Sequence, residues 1–457
     1  MNNENPMTTN QSFIKKIFTK RGGSDSSSKT KSIINVDVVG LNNGIGIVAE
    51  ACACCWDRPI PTTYNDKAEY IAKRTRIGHT SVTEHSNCVM CIYISNSYSK
   101  DLISFLSACR YLHTSVKESS DHNGYFAIIG GSYRAYSDVF MTIDNVDNAI
   151  LKIVTGRLYT VSNSAFFEDI INKINDENII DKDAFKNDDA TYSCANYFTS
   201  SIINPSTGVN RVTQPLFDIL WVDDANKMLE NINNFLVRNN ESNHLFKLKD
   251  IQDFLSITVL FKNMSRTCTH QLVRHRNGIT QESQRYVNYS NADFADPCEF
   301  KDKYNPNEKY LISFNGQEMY MTLKEIGEAE INIYRDLTNK EKNPDALLKE
   351  DARAFLPSNV RCRKIFMTFT FNSFLKFLEL RQDSAAQAEI RTYANAIRAW
   401  IDDHYNSIFG HEDDDKNTDV TQEPIGSEEE VVMTQEEIMK SALGPESEKY
   451  IDNKEEK

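Results

Sequence analysis

No stretch of the chain approaches the ~20 consecutive apolar residues of a membrane-spanning helix, which removes the helical membrane classes. The N-terminus carries Lys15, Lys16, Lys20 and Arg21 with no apolar core behind them, so it does not read as a secretory signal. Positive charge is also lacking. The formal net charge is −14, and residues 411–457 hold 16 acidic and 5 basic residues, so that tail alone carries −11. A body this mildly acidic offers nothing to a nucleic acid in bulk. Complete glycine fingerprints are absent as well: Gly44-Ile-Gly46-Ile-Val-Ala49 is only part of a dinucleotide-binding turn, and a plain turn accounts for it. Ten cysteines without a secretory signal read as reduced thiols in a cytosol, and the chain as cytoplasmic. Cys52, Cys54 and Cys55 fall on a helical stretch, Cys88 and Cys91 on a strand. Neither pair sits on the glycine-containing knuckle that zinc uses, so buried small apolar residues are the reading and no metal is expected.

At 457 residues the chain is long enough for two or three units. Residues 1–33, rich in Asn, Ser, Thr and Lys, read as a disordered arm, and residues 409–457 as an acidic disordered tail. Between them, β-branched runs at 34–39, 88–94, 125–129, 254–261 and 365–371 predict strands. Helices are predicted over 45–56, 68–76, 135–140, 267–276, 310–337, 347–355 and 374–381. Asn372 or Ser373 is expected to cap the helix at 374, and Ser384-x-x-Gln387 reads as a capping box for the helix after it. Residues 115–123 are polar and break the pattern, 141–250 alternate amphipathic helices with polar stretches, and 192–210 read as a linker.

The chemistry concentrates in residues 270–290. Arg274, His275 and Arg276 place two permanent cations around an imidazole; after the Asn277-Gly278 turn come Thr280, Gln281, Glu282, Ser283, Gln284 and Arg285. Guanidinium groups suit bidentate capture of phosphate, and the following polar side chains can read a base or a sugar. A solvated basic loop is the plainer alternative.

Arg-His-Arg followed by Ser283-x-Arg285-Tyr286 resembles the signature of the flavin-dependent thymidylate synthases. Three further blocks resemble that family in its own order: Gly78-His-Thr-Ser-Val-Thr-Glu-His85, Glu350-Asp-Ala-Arg-Ala-Phe-Leu-Pro357, and Leu380-Arg-Gln-Asp-Ser-Ala-Ala-Gln-Ala-Glu-Ile-Arg391. The resemblance implies reductive methylation of dUMP to dTMP, with methylenetetrahydrofolate as carbon donor, FAD as hydride carrier and NADPH as its reductant. Arg381 would stabilise the anionic uracil ring, and His79 would lie near the folate methylene. Gln271, Arg274, Gln281, Glu282, Ser283, Arg285, Arg353 and Arg381 would hold dUMP. Ser81, Glu84, Arg134, Arg274, His275 and Arg276 would contact FAD. Neither nucleic acid nor membrane is implied as a partner. Three departures stand out: six residues separate Arg276 from Ser283 where the family has seven, Gln281 takes an acidic position, and Thr370-Phe-Asn372 replaces an Asn-x-Arg element.

More than a hundred residues separate the Gly-His…Glu-His block from Arg-His-Arg, whereas the family keeps them close. An internal repeat explains the gap: Cys88–Arg110 aligns without gaps on Phe254–Arg276, and Ser132-Tyr133-Arg134 falls on Thr370-Phe371-Asn372. The expectation is an α+β fold, a twisted and mainly antiparallel sheet flanked by helices, in two related halves at 34–205 and 206–408. Because the family builds its sites between subunits, a duplicated chain implies a homodimer and an unduplicated one a tetramer. Competing readings are an inactive nucleotide- or flavin-binding relative, an NAD-dependent oxidoreductase using the Gly44 turn, and a zinc-stabilised interaction protein.

Overall fold

The computed structural model describes residues 34–41, 44–142, 148–162, 216–242, 245–301 and 303–409. The arm at 1–33, the linker at 192–210 and the acidic tail from 410 lie outside the described residues. The chain starts with strand β1 (Ile34–Leu41), helices α1 (Gly44–Trp56) and α2 (Tyr64–Arg76), and a 3-10 turn over Thr80–His85. Then follow β2 (Asn87–Ser95), α3 (Ser99–Ala108), β3 (His113–Glu118), β4 (Gly124–Ser132), α4 (Tyr133–Thr142) and α5 (Ala149–Ser162). A second series opens with β5 (Phe217–Val222), α6 (Ala225–Arg238), the single turn α7 (Leu248–Ile251), β6 (Ser256–Ser265), α8 (Arg266–Leu272) and β7 (Gly278–Gln281). It continues through the hairpin β8 (Tyr310–Phe314) and β9 (Gln317–Met321), α9 (Leu323–Thr338), α10 (Lys349–Ala352), β10 (Arg361–Thr370), α11 (Phe371–Gln382) and α12 (Ala388–Phe409).

Both four-stranded sheets are antiparallel and have one topology, β1-β2-β4-β3 and β5-β6-β10-β7. Each first strand carries a bulge at the same rung. In β1 the register shifts between Val38 and Gly40, opposite Met90 and Val89; in β5 it shifts between Ile219 and Trp221, opposite Val259 and Thr258. Across each sheet that rung reads Val89, Gly130 and His113, against Thr258, Thr368 and Gly278. A bulge is a specific feature, so its recurrence is the strongest sign of a repeat. It also corrects the ungapped alignment. Helix α3 and helix α8 do start at matching places, but a 3-10 turn at Asn96–Tyr98 lengthens the first connection, so the strands match three residues further along.

The first helices cross over. Ala51 and Cys54 of α1 pack on Leu220, Leu260 and Phe366 of the second sheet, while Met228, Ile232 and Phe235 of α6 join a core with Val39, Val89, Phe126 and Ile128 of the first. Gly40 permits that approach, since a Cβ there would stand 2.5 Å from the Met228 methyl. The described residues therefore form one body with an interlocked core. Because β1 pairs antiparallel with β2, no parallel βαβ unit follows Gly44, and the NAD-dependent reading loses its fold.

Several local expectations are corrected. The polar stretch at 115–123 contains part of an edge strand, β3, whose residues are all half-buried. The strand β5 inside 141–250 is buried throughout. The expected helix at 310–337 starts at Leu323; before it lies a hairpin turned at Asn315-Gly316, both at positive φ, as an Asn-Gly turn demands. The helix expected over 347–355 shortens to α10 followed by a 3-10 turn. Thr370, rather than Asn372 or Ser373, caps α11 by accepting from the Ser373 N–H. Gln387 closes no capping box with Ser384; its side-chain oxygen accepts from Gln271 Nε2 at 2.6 Å. No described helix is long and apolar enough to cross a membrane.

Candidate functional site

Ser265 caps helix α8: its hydroxyl accepts from Cys268 N, while its own N–H and Oγ–H are both donated to the buried Glu389 of α12. That anchor at the N-terminus sets where the far end of the helix points. After Leu272 the helix tightens into a 3-10 turn over Val273–His275, and Arg276 adopts the left-handed conformation at φ 52°. The tightening sends the two flanking arginines of Arg-His-Arg to different places.

On one side, Arg381 Nε donates to His275 Nε2 at 2.9 Å and its Nη2 donates to the Gln271 carbonyl at 3.2 Å. The Phe377 ring meets His275 edge-on at 5.1 Å. Burial, reinforced by the adjacent guanidinium, pushes the His275 imidazole down to about 4, so at neutral pH it is uncharged and free to accept that bond. Arg381 in turn is lowered by burial and by Arg274. Gln271, Arg274, His275 and Arg381 thus form one group.

On the other side, Arg276 lines a cavity of 470 Å³ whose walls come from both halves. There Glu84 pairs with Arg134 Nη1 at 2.5 Å; burial raises the carboxyl and the guanidinium opposes the shift. The 3-10 turn carrying Glu84 is pinned by its neighbour His85, whose ring nitrogens bond Thr368 at 3.0 Å and Thr280 at 2.9 Å. Gly278 closes the same seam: a Cβ there would lie 2.8 Å from the Glu84 carbonyl oxygen. Gly278→Ala is accordingly expected to displace this turn and destabilise the fold by about 1–3 kcal/mol, read as a lowered melting temperature. An unchanged melting temperature would show that the contact is dispensable.

A third group has partners other than Arg381. Ser283 N donates to the Cys55 carbonyl, and Ser283 Oγ accepts from Arg285 N. Arg285 pairs with Glu350 at 3.0 Å, and Arg353 Nε donates to the Glu350 carbonyl. Tyr286 leans towards Trp56, which meets His79 at 4.8 Å in a T-shape and carries the Arg74 guanidinium 4.3 Å from its ring centre. Among the described residues no hydrogen bond, ion pair or ring contact joins this group to Arg381 or His275. Trp56, Arg74 and Tyr286 are not among the site residues expected from the sequence; Tyr286 stands inside the signature itself, and Trp56 ends helix α1 beside it.

Other predicted residues are placed elsewhere. Glu282 is buried, and its carboxylate is taken up by Arg363 and the Tyr289 hydroxyl. Gln281 buries a side-chain oxygen without a partner. Ser81 is exposed and does not line the cavity. Cys52 and Cys54 are buried on α1, and burial lifts the Cys52 thiol to about 12. Among the described residues no group of three or more His, Cys, Asp and Glu is placed to hold a metal.

The family described as "Thymidylate synthase complementing protein" matches residues 223–404, the span that holds α6 through most of α12. Proteins called flavin-dependent thymidylate synthase align from Pyrococcus furiosus (29% identical over 204 residues, 41% of this chain and 75% of that one) and Pyrococcus abyssi (30% over 200 residues, 41% and 75%). One from Clostridium tetani aligns at 30% over 198 residues, 42% of this chain and 76% of its own. With the signature block, the Arg381 block and this extent of shared sequence in agreement, the chain belongs to the flavin-dependent thymidylate synthase family.

Proposed function

We propose that this chain catalyses the reductive methylation of dUMP to dTMP, taking a one-carbon unit from methylenetetrahydrofolate and reducing equivalents from NADPH through FAD. The observation that carries the reading is the Arg381–His275–Gln271 group, set beside a cavity into which Arg276 projects. Attack from C5 of uracil requires negative charge to build on the ring, and a guanidinium held in place before the reaction stabilises that charge. His275 does the holding: its neutral ring accepts from Arg381, and this fixes the plane of the guanidinium.

The cavity fits a flavin dinucleotide. Its 470 Å³ lies within the ~300–1,000 Å³ of ligand pockets. Arg134 and Arg276 offer two guanidinium groups to a diphosphate, and Gly278 lets the turn carrying Glu84 close against the wall, where a Cβ would stand 2.8 Å from the Glu84 carbonyl oxygen. The bound flavin would supply hydride transfer. Arg134 makes good the cation missing at Asn372, so each half contributes what the other lacks. On this reading residues 34–205 and 206–408 are two copies of one family unit.

Ser283, Arg285 and Arg353 suit the uridylate phosphate, but within one chain no hydrogen bond or ion pair among the described residues links them to Arg381. A homodimer that brings them to Arg381 of a second copy completes the nucleotide site. The direct test is NADPH-dependent dTMP formation from dUMP and methylenetetrahydrofolate by FAD-saturated protein. Turnover is expected; flavin-loaded protein that makes no dTMP rejects the catalytic reading in favour of an inactive binding relative.

A further inference from the structure

The repeat supplies an internal control on the flavin cavity. Glu84 lies three residues before β2, and Asp253 three residues before β6; Arg134 is the second residue of α4, and Asn372 the second of α11. The contacts correspond too. Arg134 donates to Glu84 at 2.5 Å, and Asn372 Nδ2 donates to Asp253 at 2.6 Å. Both carboxylates line the same cavity, as do the matching rung residues His113 and Gly278. The cavity therefore has two ends of common origin that have diverged in chemistry.

One end keeps its cations, Arg134 and Arg276. At the other, a neutral amide stands where Arg134 would be, and Tyr111, two residues before His113 as Arg276 is two before Gly278, takes the place of Arg276. A second diphosphate placed there would face Asp253 with no guanidinium to offset the repulsion. That end carries instead an exposed tyrosine ring, Tyr111, beside His113 and Asp253. A ring face for stacking next to a carboxylate that accepts from a ribose hydroxyl or an exocyclic amine is the equipment of a nucleoside site. Burial lowers His113 while Asp253 opposes the shift.

We infer that the two diverged ends form a single site for one dinucleotide per chain, its diphosphate at Arg134 and Arg276 and its second nucleoside at Tyr111, His113 and Asp253. This rests on the flavin reading above and adds a stoichiometry and three base-binding residues to it. The experiment titrates flavin-stripped full-length protein with FAD and with FMN, by calorimetry and by quenching of flavin fluorescence. One FAD per chain is expected, bound more tightly than FMN. Tyr111→Ala and Asp253→Asn are each expected to weaken FAD about tenfold, as losing one stacked or bonded base would, and to leave FMN unchanged. Arg134→Ala should weaken both flavins, because both carry phosphate. Two FAD per chain, equal wild-type affinity for the two flavins, FAD and FMN falling together in Tyr111→Ala and Asp253→Asn, or FAD unchanged in them overturns the inference while the flavin reading stands. Wild-type protein that binds neither flavin overturns that reading and the inference with it. Both substituted side chains are exposed, and unchanged melting temperatures will show that the variants fold.

Discussion

Arg381→Ala is expected to lower the rate of dTMP formation by about 10²–10³-fold, the loss that comes with removal of one preorganised donor from a developing anion. The side chain is half-exposed and its described partners are His275 and a backbone carbonyl, so folding should hardly notice. Arg381→Lys should restore little, because an ammonium cannot meet both the imidazole and the substrate with a planar fork. The same variant reports on assembly. If Arg353 acts on nucleotide held by Arg381 of a second copy, Arg353→Ala protein is also inactive, yet each variant keeps what the other has lost. Mixing the two and allowing subunits to exchange should recover roughly a quarter of wild-type activity, since half the chains pair in mixed dimers and each mixed dimer has one intact site. Activity that stays at the sum of the two variants places Arg353 outside the shared site and removes the argument for a dimer.

Both arginines are legible in the sequence because the chemistry leaves short-range marks there. Arg274-His275-Arg276, Arg353 and Arg381 sit in blocks whose spacing shows in the residues, and the Ser132-Tyr133-Arg134 match to Thr370-Phe371-Asn372 survives at the starts of α4 and α11. Features decided by distant surroundings leave no such mark. Glu282 looks like a nucleotide ligand in the chain, yet Arg363 and Tyr289 claim its carboxylate. The edge strand β3 has no alternation because all its residues are half-buried, and a strand like that has no two-residue period to detect. The Asn315-Gly316 hairpin is legible as a turn pair, but the helical pattern running on from Leu323 outweighs it. The three-residue offset between the copies depends on one 3-10 turn at Asn96–Tyr98, and an ungapped comparison has no means of finding it.

His85 makes the seam between the halves sensitive to acid. Both of its ring nitrogens are engaged by threonine hydroxyls, and Thr368 bonds onward to Thr258 at 2.8 Å. Burial pushes its pKa down to about 3 from an ordinary 6.5. The native chain therefore keeps His85 neutral while the unfolded chain takes up a proton below about pH 6.5, so the unfolded state binds more protons and stability falls as pH falls. The contribution is whole above the unfolded value and declines by about 1.4 kcal/mol per pH unit beneath it, about 2 kcal/mol by pH 5. His275, held at about 4, moves in the same direction. Melting temperatures measured at pH 7 and pH 5 should drop more for wild-type protein than for His85→Gln, whose amide carries no titrating proton. His85→Ala, which leaves a void and strands two hydroxyls, should cost about 3 kcal/mol at either pH. Equal pH slopes in wild type and His85→Gln would mean that His85 is not the group being protonated. Because Glu84 is its neighbour in the chain, loosening His85 also loosens the cavity wall, and flavin should be released in acid ahead of global unfolding.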